Sequence, residues 1–137
     1  MKKSLLCAVS FILVFACVFQ TAVFADGVSL LNNNVSEAYI DFDISSDGQA
    51  FVSVRYNGYP NVTTDARITI KIEKRNLLIF WKDVVDEIYY IGGNSYSHTY
   101  AYQLEKTGTY RCTVEYTISG IGGADDVLTF EDTKTYG

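Results

Sequence analysis

Gly108-Thr109-Tyr110-Arg111-Cys112 opens a segment that alternates apolar and polar residues as far as Ile118. The glycine permits a tight corner. A tyrosine two residues before a cysteine at the head of a strand has the arrangement of a tyrosine corner, in which the ring packs at the end of a β-sandwich and its hydroxyl bonds to backbone slightly upstream. The acceptor is expected near Leu104 to Lys106. Gly108, Tyr110 and Cys112 are therefore read as structural residues. Tyr110, Cys112, Val114, Tyr116 and Ile118 fall on one face, and Arg111, Thr113, Glu115 and Thr117 on the other.

The same period of two recurs upstream and downstream. Ile40, Phe42 and Ile44 alternate with Asp41 and Asp43, and Ser46-Asp47-Gly48 follows with a hairpin-turn dipeptide. Ala50, Val52, Val54 and Tyr56 form the next apolar row, closed by Asn57-Gly58-Tyr59-Pro60, whose proline cannot donate to a ladder. Ile68, Ile70 and Ile72 form another, and Lys74-Arg75-Asn76 is expected to turn the chain. Leu77 to Val85, with Trp81, reads as a strand, and residues 86–91 are ambiguous. After the turn at Gly92-Gly93-Asn94, Tyr96, His98, Tyr100 and Tyr102 alternate with small polar residues. Gly120-Ile121-Gly122-Gly123 reads as a flexible loop, Val127 to Tyr136 as the last strand, and Val28 to Leu31 as a short edge strand.

Half-apolar strands have one wet face, as antiparallel sheets do. Two such sheets bury their apolar faces against each other. The expected fold is an all-β, antiparallel immunoglobulin-like β-sandwich of seven or eight strands, with a small closed barrel as the competing arrangement. It is Ig-like in architecture only. The strand from Ala50 to Tyr56 has no cysteine to pair with Cys112, and Trp81 comes one strand too late for the usual core tryptophan, leaving Ile70 or a neighbour in that place.

The first 25 residues read as an address. Lys2 and Lys3 precede an apolar run from Leu5 to Val18, and Val23-Phe24-Ala25 suits cleavage before Asp26. The apolar run is short for a span of about 30 Å of hydrocarbon. A cleaved signal helix and a secreted domain over residues 26–137 are expected. Val14-Phe15-Ala16-Cys17 also resembles a lipobox, although Phe15 is bulky and Val18-Phe19 prolong the apolar run. Without Lys2 and Lys3, nine basic residues face 16 acidic ones, a net charge of −7. That balance argues against binding nucleic acid, which needs clustered cations. Cys7 and Cys17 leave with the signal, so Cys112 has no partner for an intrachain disulfide and reads as a small buried apolar side chain.

Several motifs together resemble a broad group of small exported Ig-like β-sandwich proteins of Gram-positive, clostridia-like bacteria. They are Ile70-Lys71-Ile72-Glu73-Lys74-Arg75, Trp81-Lys82-Asp83-Val84, Leu104-Glu105-Lys106-Thr107-Gly108-Thr109-Tyr110-Arg111 and Asp132-Thr133-Lys134-Thr135-Tyr136. The group has no established activity, so the resemblance implies fold and export only. Its members carry a polar or Gly/Ser-rich segment before the tryptophan, where this chain has Leu77-Leu78-Ile79-Phe80.

Catalytic parts are few. A nucleophile needs a base within reach, and the exported chain offers only His98 and Cys112. Asp41 with Asp43, Asp83 with Asp86 and Glu87, and Asp125 with Asp126 are carboxylate groupings, but a small sandwich has little room for a hydrolase cleft. Asp125 with Asp126 and Asp83 with Asp86 are also the calcium candidates, and neither pair matches an EF-hand loop. No enzyme, metal or cofactor is expected.

The excess of aromatics points instead to binding. Trp81, Tyr89, Tyr90, Tyr96, Tyr100 and Tyr102 are expected to form one exposed stripe on neighbouring strands. The expected function is a monomeric extracellular or cell-wall-associated protein interaction module. A carbohydrate-binding module using the aromatic patch is the alternative. No membrane span or membrane-active amphipathic segment is read after residue 26.

Overall fold

The computed structural model describes residues 32–137. The signal helix, Cys17 and the strand expected at Val28 to Leu31 lie outside the described residues. Seven antiparallel strands follow in order: β1 (Val35–Ile44), β2 (Gln49–Gly58), β3 (Thr63–Asn76), β4 (Phe80–Gly92), β5 (Ser95–Gln103), β6 (Gly108–Gly120) and β7 (Asp126–Tyr136). They form a three-stranded sheet, β1-β2-β5, and a four-stranded sheet, β4-β3-β6-β7. The chain crosses between sheets after β2, β4 and β5. The result is the expected Ig-like sandwich of all-β class.

The inner faces follow the alternation in the sequence. Ala50, Val52, Val54 and Tyr56 of β2 meet Ile68, Ile70 and Ile72 of β3 and Cys112, Val114, Tyr116 and Ile118 of β6, all of them buried. Burying one such side chain contributes roughly 1.5–3 kcal/mol, so this row is the main source of stability. Ile70 occupies the core where antibody-type domains carry a tryptophan.

Tyr110 forms the corner, its hydroxyl donating to the Lys106 carbonyl. Gly108 has φ +140°, and a Cβ there would meet Lys74 Cε at 2.8 Å, so no other residue fits without strain. Tyr116 adds a polar tie that the sequence does not advertise. Its hydroxyl crosses to the other sheet, donates to Tyr39 C=O at 2.8 Å and accepts from Arg55 N–H at 3.1 Å.

The loop after β6 packs closely against the residues that lead into β1. A Cβ on Gly122 would collide with the Asn33 carbonyl, so the glycine is there to let two backbones approach. Asp126 fastens the same end. Its carboxylate accepts from the N–H groups of Asn33, Asn34 and Val35 at 2.9, 2.7 and 3.0 Å. The buried Asn34 side chain donates to Ala124 C=O and accepts from Gly122 N–H.

Two boundaries on the β3–β4 hairpin differ from expectation. β3 runs on through Lys74-Arg75-Asn76, and the turn falls at residues 77–79, with Asn76 opposite Phe80. Leu77-Leu78-Ile79, expected at the start of a strand, cap the hairpin instead. Residues 86–91 continue β4.

Candidate functional site

β4 and β5 are edge strands of different sheets, and their inward side chains face each other across the open side of the sandwich. Tyr89 lies opposite Ile68, and Tyr96, Tyr100 and Tyr102 lie opposite Tyr56, Val52 and Ala50, so all four point inward. The Tyr89 and Tyr100 rings stack with centroids 4.0 Å apart. Tyr89 donates to Glu87, which leaves Tyr102 to donate to the Tyr89 hydroxyl across 3.0 Å. The Tyr96 and Tyr100 hydroxyls bond at 3.0 Å. Burial, and then the Glu87 carboxylate, push the Tyr89 phenol above its ordinary range. Burial and the Tyr96 hydroxyl do the same to Tyr100. All four rings are part-buried and pack on the core, sealing the gap between the sheets.

Trp81 and Tyr90 stand on the outer face of β4. Tyr90 is outward by alternation with Tyr89, and a bulge turns Trp81 outward. Ile72 pairs with Val85 and Glu73 with Asp83, so Val84 has no partner and the inside-outside alternation reverses there. Trp81 is thereby turned onto the outer face, opposite Arg75. The Arg111 guanidinium lies over its ring at 4.4 Å and that of Arg75 at 5.5 Å. Arg111 donates two bonds to Glu73, at 2.7 and 3.0 Å, and Lys71 joins Glu73 to Asp83. Trp81 is thus a part-buried member of a charged network, while Tyr90 is 78 % exposed. The six aromatic residues do not form one stripe. Four seal the inter-sheet gap, one is held under arginine, and Tyr90 alone is widely exposed.

The remaining candidates are dispersed. His98 lies on β5 with its ring against Tyr100 at 4.6 Å, and Cys112 lies on β6 in the other sheet. Burial pushes the Cys112 thiol up to about 12, far from a nucleophilic thiolate. Asp83 is paired with Lys71, Asp86 and Glu87 fall on opposite faces, and Asp126 is committed to backbone. Among the described residues no cluster of His, Cys, Asp or Glu is placed to hold a metal ion.

The hairpin tip is a feature that the aromatic reading passes over. Leu77, Leu78, Ile79 and Phe80 are 60 to 88 % exposed. At the foot of the hairpin lies an open cleft of about 460 Å³ between the sheets, bordered by Lys74, Arg75, Lys82, Lys106 and Tyr110. Four consecutive large apolar residues beside Lys74-Arg75 are visible in the sequence. Their exposure follows only from the register that makes them a turn. No protein-family model matches this chain, and no curated protein matches it in sequence.

Proposed function

We propose that the protein is an exported, non-catalytic β-sandwich acting as an interaction module for an extracellular or cell-wall protein. One observation carries this reading. Among the described residues, seven of the eleven exposed large apolar side chains lie between Leu77 and Tyr90. A small domain scatters such residues singly unless the surface is used. On β4, Ile88 and Tyr90 share the outer face of an edge strand whose second hydrogen-bonding side has no partner strand among the described residues. Tyrosine anchors and free strand edges are recurrent protein-docking elements.

A photo-crosslinking residue in place of Tyr90 should trap the partner on the producing cell's surface. With that partner purified, Tyr90→Ala should weaken binding about tenfold or more, while the melting temperature moves by less than about 2 °C because the ring is exposed. Unchanged affinity would refute the assignment. Retention on a wall polysaccharide that free sugar competes away would favour the carbohydrate reading instead. Export is checked by the intact mass of the extracellular product, expected to begin at Asp26. A lipid-modified start at Cys17 would replace that expectation.

A further inference from the structure

We propose that the β3–β4 hairpin docks on an anionic lipid surface, its apolar tip entering the bilayer interface while the basic residues at its foot engage headgroup phosphates. This concerns the four tip residues of the apolar cluster on which the protein-partner reading rests, and leaves Ile88 and Tyr90 on the outer face of β4 to that reading.

Shape and sequence agree on the occupant. The run Lys74-Arg75-Asn76-Leu77-Leu78-Ile79-Phe80-Trp81-Lys82 holds three cations and no acid, in a chain of net charge −5. The tip is a convex turn. A protein partner would need a matching apolar hole, whereas acyl chains close around any projecting apolar shape. Large apolar residues beside cations are the composition that binds bilayer interfaces. Leu77 adds a conformational clue. Its φ of +54° lies in the left-handed region, where glycine or asparagine sits more comfortably. The chain keeps leucine there at a cost in backbone strain, which is accounted for if the side chain itself is used.

The cations are arranged to meet an anion. Of the basic residues among those described, Arg67, Lys71, Arg111 and Lys134 are paired with carboxylates. Arg55, Lys74, Arg75, Lys82 and Lys106 are not, and all of these except Arg55 border the cleft under the tip. Lys74 and Lys82 lie directly opposite each other across the strands, a like-charge pair that costs stability in an empty sheet. A phosphate between them would relieve that cost. Two acids also border the cleft: Asp83, already engaged by Lys71 at 3.1 Å, and Glu105, so the four cations there outnumber the acids two to one.

Trp81 is the only tryptophan and adjoins the tip, so it reports docking without a label. The exported protein is mixed with vesicles of phosphatidylcholine plus phosphatidylglycerol, or of phosphatidylcholine alone. Retention on the anionic vesicles that falls with salt is expected, with Trp81 fluorescence quenched by lipids brominated in the acyl chains. Leu78→Asp with Ile79→Asp should lower partitioning about tenfold or more, with an unchanged melting curve because both side chains are exposed. Lys74→Gln with Lys82→Gln should lower it about 25-fold, each charge near an anionic surface being worth about five-fold, or about 1 kcal/mol. Tyr90→Ala should leave vesicle binding intact. No retention on anionic vesicles at low salt, or full retention by the Leu78/Ile79 variant, would overturn the proposal. Loss of partner binding by that variant without any vesicle binding would also overturn it, and would assign the tip to the protein interface.

Discussion

Tyr116→Phe isolates one polar tie between the two sheets. The substitution removes a single oxygen and keeps the ring, which packs edge-on against Tyr56 at 6.4 Å and Phe130 at 5.9 Å. No cavity opens, so the cost is that of the hydroxyl alone. It makes two hydrogen bonds, at 2.8 and 3.1 Å, to backbone groups of paired residues on β1 and β2. At about 1 kcal/mol net per bond, the loss is about 2 kcal/mol. A domain of this size shifts its melting temperature by roughly 4–8 °C per kcal/mol, so a fall of about 10 °C is expected. Tyr110→Phe is the internal control. It loses one bond, to Lys106 C=O at the end of the sandwich, and should cost about half as much. Urea melts of the three proteins should share one m-value, since the surface exposed on unfolding is the same. Tyr116→Phe within about 0.5 kcal/mol of the parent, a shift no larger than an ordinary surface substitution gives, would show that the hydroxyl does not tie the sheets.

Cys112, buried between Ile72 and Asp132 with its thiol pushed up to about 12, should resist a thiol reagent at neutral pH and react fully in denaturant. Rapid native labelling, or a covalent dimer on a non-reducing gel, would contradict its place in the core. Alkali should unfold the protein through its tyrosines. Burial raises the phenols of Tyr89, Tyr100 and Tyr116 above the ordinary value of 10.0, so above that pH the folded state binds more protons than the unfolded one. Their contribution is fully present below about pH 10 and is lost as pH rises beyond it, with Cys112 beginning the loss near its ordinary value of 9.0. The urea midpoint should hold steady from neutrality to about pH 9 and then fall. Phenolate absorbance from these rings should appear together with unfolding, and their free titration in a folded chain would refute the burial.

The strands were legible because each inner row is set by one face of one strand. Ile68, Ile70 and Ile72, or Tyr110 through Ile118, need only a period of two, and burial enforces it. The corner was legible because Gly108 and Tyr110 are adjacent in sequence to the turn they make. What escaped depends on pairing between strands. Asp126 reads only as half of a carboxylate grouping with Asp125 until the start of β1 brings three N–H groups to it. The bulge at Val84 has no local signature in Asp83-Val84-Val85, since it is fixed by where β4 meets β3. Its consequences reach the surface. With an unbroken alternation, Asp83 would face Lys74 and close an ion pair, Lys82 would face Arg75, and Trp81 would lie on the same side as Tyr89. The extra residue instead moves Trp81 under Arg111 and sets Lys82 against Lys74. One inserted residue therefore takes Trp81 away from Tyr89, while Tyr90 is turned outward by the alternation itself. The same residue sets Lys82 beside Lys74 beneath the apolar tip, so the cation pair of the proposed lipid-docking surface arises at an irregularity that an alternation pattern cannot record.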